Sequence, residues 1–497
     1  MLKTLRSAFK GTIIYSVGNF SSKLVGLILI PLYTSKLTVA EFGVLGILEI
    51  TSQFLIAVLG LSLYSAFFRW YWDKEYITRQ KSIFFTILVF VGTVTCTFAI
   101  ILIFFANPIS DFLFETSDYS YILRLLFIVV AMETPAVIVT TLMRVKEKAI
   151  LYTSLNLIKL IVSLSFTVYF IAGLGKRIEG IYEAQIIGNI VFLILASGFV
   201  LKNIEVKFNI KALKGMLAFS VPLIFSGIAG IILTITDRYS LRFLSNLESV
   251  GIYTLGFKVA NTLKVFVLSS ISLALQPIIF KMMDQPNNKR FYSKVMTYLS
   301  FGMMILVLAM SMFSKEIIQL LARNQAYLSA WTAIPVLSLS VFFIMLRDIA
   351  LTGVNLVKKT KIIAFVIIIA ALINIGLNIL LIPKFNYMGA AIATMIAQLF
   401  YFVTIYLYSQ KYYRINYEMG KILLIIALGI LLYSISLVTI NWSLMARIIG
   451  KTGLILSFPF ILYLFKFYES IEIETMKRLW LIWNNPKRWR DNLRKKN

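Results

Sequence analysis

The chain has 497 residues, of which 59% are hydrophobic and 14% are charged, and its mean hydropathy is +0.86. Soluble proteins average about 45–50% apolar and about 25% charged residues, so a soluble globular domain, a disordered chain and a disulfide scaffold are excluded. The sequence contains no histidine and a single cysteine, Cys96. Histidine-dependent catalysis, histidine metal sites and intramolecular disulfides are therefore impossible, and the sequence predicts a protein that is not an enzyme and needs no cofactor.

Apolar runs of about 20 residues recur along the whole chain. A run of this length crosses the hydrocarbon core of a bilayer, which is about 30 Å thick, because a helix rises 1.5 Å per residue. The sequence predicts an all-α integral membrane protein with about 14 transmembrane helices. The predicted spans lie near residues 11–32, 43–64, 82–105, 121–142, 149–172, 180–201, 216–236, 251–276, 295–313, 330–351, 362–382, 389–407, 422–440 and 447–465.

Basic residues are distributed unequally between the two sides of these spans. Of 49 Lys and Arg residues, 33 fall in the connections and tails on one side, and 9 fall on the other. Because Lys and Arg are enriched in cytoplasmic loops, both termini are predicted to be cytoplasmic. The basic tail, residues 467–497, also contains Trp480, Trp483 and Trp489, a composition typical of an interfacial segment on anionic lipid. The tail is therefore expected to bind membrane lipids, and it is not expected to bind nucleic acid.

An internal repeat connects the two halves of the chain. The segments that begin at Ala8 and Ala212 match at an offset of 204, and the segments around Gly43 and Gly251 match at an offset of 208. Six spans separate the copies, so both copies enter the membrane from the same side. The sequence therefore predicts two parallel six-helix lobes, residues 1–205 and 206–410, two appended helices within 411–466, and the cytoplasmic tail.

Seven basic residues fall inside the predicted spans, where a charge costs about 2.5–3.5 kcal/mol at the helix centre and is a candidate for function. Lys23, Lys159 and Lys264 lie about 15–19 Å into their helices. Basic groups gathered in one cavity repel one another unless an anion binds among them. The sequence therefore predicts a cavity that binds a phosphate or pyrophosphate headgroup. Its predicted lining residues are Lys23, Lys159, Lys258, Lys264, Arg347 and Arg238.

The alternative interpretation is structural. Each of these cations would then pair with a carboxylate on a neighbouring helix, such as Glu49, Glu133 or Glu183, and would serve only to hold helices together.

Acidic residues within the spans are few. Glu133, which precedes Thr134 and Pro135, is the first candidate for binding a coupling ion, and Glu49 and Asp348 are further candidates. Without histidine, proton coupling would have to use such carboxylates, or else the coupling ion is Na⁺.

Three sequence blocks occur in order along the chain. They are Gly18–Lys23 with Pro31–Tyr33 and Glu41–Val44, then Phe219–Pro222 with Asp237–Tyr239 and Val250–Tyr253, and finally Asn374, Asn378, Pro383 and Gly389–Thr394. Together these blocks resemble the Wzx-type polysaccharide flippases of the multidrug/oligosaccharidyl-lipid/polysaccharide (MOP) exporter superfamily, and the resemblance covers the first twelve predicted spans.

This resemblance implies a two-lobed fold like that of multidrug and toxin extrusion (MATE) transporters. It also implies translocation of an undecaprenyl-diphosphate-linked oligosaccharide across the bacterial cytoplasmic membrane by ion-coupled alternating access, for polysaccharide biosynthesis. The implied partners are this anionic lipid-linked oligosaccharide and the polysaccharide polymerase machinery.

Two other functions fit the same fold. An ion-coupled multidrug antiporter would bind cationic drugs and would need an acidic cavity, whereas the predicted cavity is basic. A flippase of lipid II, the peptidoglycan precursor, would need a cationic cavity as well, so the charge pattern alone does not separate it from a polysaccharide flippase.

Overall fold

The computed structural model describes residues 26–474, apart from residues 270, 272–274, 276, 277, 280 and 284 and the side chains of residues 225, 226 and 360. The described residues form helices and no strand, which confirms the predicted all-α class. The α-helices are α1 (Ile30–Lys36), α2 (Val39–Leu59), α3 (Leu63–Tyr71), α4 (Gln80–Phe104), α5 (Ala106–Phe114), α6 (Ser120–Val145), α7 (Ala149–Val168), α8 (Ile178–Asn203), α9 (Ile210–Leu244), α10 (Leu247–Thr262), α11 (Asn288–Met312), α12 (Ser314–Leu321), α13 (Ala333–Leu356), α14 (Thr360–Tyr412), α15 (Met419–Ser436) and α16 (Leu444–Leu464).

The chain is a multi-pass membrane protein. Ten helices of the described residues are long and apolar enough to cross a membrane, or eleven if the two halves of α9, bent by 41°, form one span. Helix α14 covers the predicted spans 362–382 and 389–407, and it is interrupted at Asn386, where φ is 48°. The first predicted span lies mostly outside the described residues, as does Lys23, so the count of fourteen stays a prediction.

The helices form two compact units. The larger unit contains the described residues up to 285 together with Ser314–Arg414, and therefore includes α1–α10 and α12–α14. The predicted boundary at residues 205 and 206 falls in the connection between α8 and α9. The predicted division into lobes, appended helices and tail stays a prediction.

The smaller unit contains Pro286–Phe313 and the residues from Ile415 onward, so that α11 packs with α15 and α16. Gly429 of α15 lies against Met304 of α11; a Cβ at position 429 would come within 2.7 Å of the methionine sulfur. Beside these helices, Lys294 forms ion pairs with Glu418, Glu469 and Glu472.

Within the larger unit, α2 and α10 begin side by side at one end of the helices. Thr38 caps α2 by accepting a hydrogen bond from the backbone N–H of Glu41, and Asn246 caps α10 by accepting one from Ser249. The helices approach so closely here that each places a glycine against a backbone carbonyl oxygen of the other. These glycines, Gly43 and Gly251, are the residues that the repeat pairs at an offset of 208.

Further contacts join the two predicted lobes at this same end. The Tyr327 hydroxyl donates to the carbonyl oxygens of Leu37 and Thr38, at 3.1 and 2.8 Å. The Arg242 guanidinium at the end of α9 donates to the Leu113 carbonyl and pairs with Glu115. We refer to these contacts, together with those of Gly43 and Gly251, as the end seal.

Candidate functional site

A cavity of about 580 Å³ lies between α2, α9 and α10 of the larger unit. We call it the cationic cavity, because its charged lining residues among those described are Arg238, Lys258, Lys264 and the single acid Glu49. The volume falls within the 300–1,000 Å³ typical of ligand sites. Three of the six predicted binding residues therefore line one cavity.

Matching residues of α2 and of α10 with the turn that follows it line this cavity. The α2 stripe is Glu49, Ile50, Gln53, Ile56 and Ala57, of which the first three line the cavity and the last two line a neighbouring apolar pocket. The residues at an offset of 208 are Phe257, Lys258, Asn261, Lys264 and Val265, and all five line the cavity. Spacings of three and four residues place each stripe on one helical face. Gln53 and Asn261 both carry an amide at equivalent positions. Lys258 and Lys264 occupy the positions equivalent to Ile50 and Ile56. The positive charge of the two stripes thus belongs to the α10 wall.

Lys258 reaches across the cavity to the α2 wall. Its ammonium nitrogen lies 2.7 Å from a Glu49 carboxylate oxygen, and also lies over the ring of Phe42. Both charged side chains remain partly exposed to the cavity. The pair joins the predicted lobes at mid-helix and leaves Lys258 with donors that can bind a second anionic group.

Arg238 is held at the cavity wall by its neighbours on α9 and α10. Its Nε donates to the Thr254 hydroxyl at 3.1 Å, and its guanidinium carbon lies 4.6 Å from the ring centre of Phe257. These contacts hold the planar guanidinium of Arg238, a residue that is 4% exposed and lines the cavity. Guanidinium groups held in this way suit bidentate binding of phosphate oxygens.

A second pocket of about 170 Å³ adjoins the cationic cavity, with which it shares Thr234, Phe257, Asn261 and Lys264. Arg347 lines this pocket, donates to Asp348 at 2.7 Å and to Gln398 at 3.1 Å, and stacks over Tyr401. Lys264 lines both spaces and so connects Arg347 with the larger cavity.

Asp237 lies at the wall of this second pocket and is 1% exposed. Its Oδ1 accepts from the amides of Asn374 and Asn378 at 3.0 and 2.9 Å, and its Oδ2 accepts from Tyr253 and Thr394 at 2.5 Å each. No basic side chain of the described residues pairs with it. We call these five residues the Asp237 cluster.

The Asp237 cluster supplies only oxygen and amide groups, the ligands that hard cations such as Na⁺ prefer. The Oδ1 atom of Asn378 is buried and lacks a hydrogen-bond partner. Rotation of the two amides would turn their carbonyl oxygens toward the carboxylate, and amide orientation follows whatever partner is present. This cluster was not predicted from the sequence, although Asn374 and Asn378 lie one helical turn apart, a spacing that indicates a shared site.

Lys159 and Glu133 lie elsewhere. They form a 2.8 Å ion pair between α7 and α6 and line a separate pocket of about 160 Å³. An apolar pocket of about 280 Å³ separates them from the cationic cavity. Lys176, outside the predicted spans, pairs with Glu183. The structural alternative is thus correct about pairing for Lys159 and Lys258, while Lys258 also lines the cavity.

The candidate coupling residues share one property. Glu133, Glu49 and Asp348 each form an ion pair with a basic side chain, respectively Lys159, Lys258 and Arg347. Their role in ion binding stays a prediction, as does the binding role of the six basic residues.

Comparison with known proteins supplies a family and a fold. The family described as "Polysaccharide biosynthesis protein" matches residues 8–283. An uncharacterized membrane protein of Methanocaldococcus jannaschii is 26% identical over 252 residues, which are 48% of this chain and 49% of that protein. The chain thus spans about half the length of this curated relative.

Two solved structures share the fold. The lipid II flippase MurJ in an inward closed conformation superposes with a TM-score of 0.72 at 18% identity, over 92% of this chain and 100% of that chain. A multidrug resistance MATE family transporter of the MOP superfamily, in an inward-facing conformation, superposes with a TM-score of 0.64 at 13% identity, over 80% and 97%. The predicted MATE-like fold is confirmed.

Proposed function

Because this chain belongs to the polysaccharide biosynthesis protein family, we propose that it moves an undecaprenyl-diphosphate-linked oligosaccharide from the inner to the outer leaflet of the bacterial cytoplasmic membrane. The observation that carries this proposal is the convergence of Arg238, Lys258 and Lys264 on one cavity. A diphosphate offsets their mutual repulsion, and the cations replace the water that the headgroup leaves behind. The fold, shared with transporters of the MOP superfamily, is consistent with this role.

Charge also argues against a drug antiporter. A cationic drug would approach three basic side chains and one carboxylate in the described lining of the cationic cavity. The negatively charged headgroup of the diphosphate lipid is instead attracted by these basic side chains. Its polyprenyl chain stays in the bilayer, because burying a long apolar tail in this polar cavity gains nothing over lipid.

Translocation proceeds by alternating access. The end seal joins the predicted lobes at one end of the larger unit, and the excess of basic residues predicted for the other side of the membrane supports an extracytoplasmic position for this end. In this proposal, the conformation with a closed end seal receives substrate from the cytoplasmic leaflet. Opening the end seal while closing the opposite end delivers the headgroup to the outer leaflet.

The Asp237 cluster binds the coupling ion. A carboxylate that is 1% exposed and has only neutral hydrogen-bond partners is costly to bury in a membrane helix, so binding a cation such as Na⁺ stabilises it. Lys264 and Arg347 line the same pocket, which places the ion beside the headgroup-binding cations. Ion and substrate occupancy are therefore coupled electrostatically across one small space.

The test is a flipping assay in vesicles. The purified protein is reconstituted with a lipid-linked oligosaccharide, and the fraction of lipid cleaved by a glycosidase added outside is followed over time. Lys258→Met and Lys264→Met should each slow the protein-dependent phase by at least about tenfold, because each removes a charge-assisted contact with the diphosphate. Lys361→Met, which changes an exposed lysine in the first turn of α14, outside the residues that line the cavity, should leave the rate unchanged.

The outcomes separate the candidate functions. Normal rates in both cavity variants would refute binding of the headgroup in the cationic cavity. Faster movement of lipid II than of oligosaccharide lipids in the same vesicles would favour the precursor flippase instead. Movement of a cationic dye without movement of either lipid would favour the antiporter.

A further inference from the structure

The Lys159–Glu133 pair lines a small pocket with the chemistry of a neutral polar binding site. The pocket, of about 160 Å³, is also lined by Asn156, Thr140 and Phe192. Lys159 and Glu133 are each partly exposed and oppositely charged, so together they attract neither anions nor cations strongly. One Lys159 donor is used by Glu133, and the remaining donors and the second carboxylate oxygen can bind another group.

Asn156 adds an oriented acceptor to this pocket. Its amide nitrogen donates to the Tyr152 carbonyl at 2.7 Å, a bond that fixes the side chain on α7. The other amide atom, the carbonyl oxygen, accepts no hydrogen bond from any residue the structure describes. Donors from Lys159 and acceptors from Glu133 and Asn156 therefore face one small space that has an aromatic ring, Phe192, in its wall.

This pocket is connected to the cationic cavity through lining residues that neighbouring spaces share. Gln53 lines both the cationic cavity and the apolar pocket, and Ile56 and Val137 line both the apolar pocket and the Lys159 pocket. Tyr64, which is 45% exposed, lines the apolar pocket between them. An extended ligand anchored at Lys258 can therefore reach the Lys159 pocket along α2.

We propose that the apolar pocket and the Lys159 pocket form a saccharide subsite, which binds the sugars of the lipid-linked substrate while the cationic cavity binds its diphosphate. This proposal rests on the proposed function and assigns the sugars to the wall formed by α2, α6 and α7. Sugar hydroxyls both donate and accept, as the Lys159, Glu133 and Asn156 groups require. The apolar faces of sugar rings can pack against the aromatic side chains of the two pockets and against the aliphatic side chains that lie between those aromatic groups.

Other ligands fit this row of pockets less well. A second phosphate would meet the Glu133 carboxylate, and a polyprenyl tail would cover the ion pair without satisfying its hydrogen bonds. A neutral ligand with several hydroxyls leaves the pair intact and hydrogen-bonds to both of its members.

The test compares two ligands that differ only in their sugars. The affinities of the full-length protein in nanodiscs are measured by native mass spectrometry for farnesyl diphosphate and for farnesyl diphosphate that bears a disaccharide. The sugars should strengthen binding to the wild type by at least about tenfold. Glu133→Gln, Lys159→Met and Asn156→Ala should each weaken binding of the glycosylated ligand by about tenfold, and Glu133→Gln with Lys159→Met by up to about a hundredfold, with no change for the bare diphosphate.

Controls separate this proposal from the proposed function. Lys258→Met should weaken binding of both ligands equally, and Glu75→Gln, which removes an exposed ion pair with Lys211, should weaken neither. The saccharide subsite would be overturned if the Glu133 and Lys159 variants lost affinity for both ligands equally. It would also be overturned if these variants kept the full gain in affinity that the sugars give the wild type. Failure of the wild type to bind either ligand would overturn the proposed function itself.

Discussion

Gly43 and Gly251 each lie directly against a backbone carbonyl oxygen of the opposite helix. A Cβ at Gly43 would stand 2.1 Å from the Leu247 oxygen, and a Cβ at Gly251 would stand 2.1 Å from the Val39 oxygen. Both glycines and both carbonyls are related by the same offset of 208 residues. The contact is therefore symmetrical, and any side chain at either glycine forces α2 and α10 apart.

Gly251→Ala should shift the protein away from the conformation in which the end seal is closed. Overpacking of this kind costs about 1–3 kcal/mol, enough to change the populations of two states about tenfold. Spin labels at Ser35 and Asn324, in a background with Cys96→Ala, should show a longer and broader distance distribution by pulsed electron paramagnetic resonance. Gly92→Ala, at a position with nothing within 4 Å, is the matched control. Identical distributions for both variants would show that the glycine contact does not hold the seal.

Glu49→Gln should strengthen diphosphate binding several-fold. Glu49 competes with the headgroup for the Lys258 ammonium, so removal of its charge frees that cation for the ligand. Titration of farnesyl diphosphate against the purified variant measures the change. A double-mutant cycle with Lys258→Met should show that the gain depends on Lys258. Weaker binding in the single Glu49 variant would contradict this prediction.

Asp237→Asn should abolish ion-dependent stabilisation. An ion that binds only the folded state at 100 times its Kd adds about 2.7 kcal/mol, so the wild type should melt several degrees higher in NaCl than in choline chloride. The variant loses the carboxylate of the Asp237 cluster and should melt at one temperature in both salts. Asp348→Asn leaves the cluster intact and should retain the difference. A sodium effect that survives in Asp237→Asn would place the ion elsewhere.

Glu418 should stabilise the smaller unit in a pH-dependent way. Burial alone would raise the pKa of this carboxyl, but hydrogen bonds from Thr297, Lys421 and Lys294 outweigh it and lower the pKa below 4.5. A carboxyl with a depressed folded-state pKa contributes stability above its unfolded pKa, and that contribution disappears as the pH falls through the folded value. Glu418→Gln should therefore lower the melting temperature at pH 7, and the difference from the wild type should shrink below pH 4.5. Glu205→Gln is the control, and a constant difference at all pH values would contradict the assignment.

The sequence predicted the positions of helices along the chain better than it predicted their neighbours. Span positions follow from apolar runs, and described helices cover most of the predicted spans, with the break at Asn386 falling between two of them. Lys159 and Lys264 were placed at similar depths, yet they line different pockets. Depth depends on residue count alone, whereas the direction in which a side chain points depends on helix rotation and packing.

The Asp237 cluster shows the same limit. Its members come from α9, α10 and α14. Residues as distant in the sequence as Asp237 and Thr394 are joined by a side-chain hydrogen bond of 2.5 Å. The one-turn spacing of Asn374 and Asn378 indicates a shared site, but no local pattern identifies the partners of these residues on other helices. The Glu49–Lys258 pair was likewise one of several pairings that charge alone allowed, and only the packing of α2 against α10 selects it.

The unequal walls of the cationic cavity have a consequence for the direction in which cargo is held. A cavity with two identical walls would bind a molecule that has two different ends equally well in two opposite orientations. Here Ile50 on the α2 side is the position that the offset of 208 matches to Lys258 on the α10 side, so the two predicted copies differ in charge within the cavity. The proposed cargo has one charged end and one neutral end, so this asymmetry favours a single orientation of that cargo in the cavity.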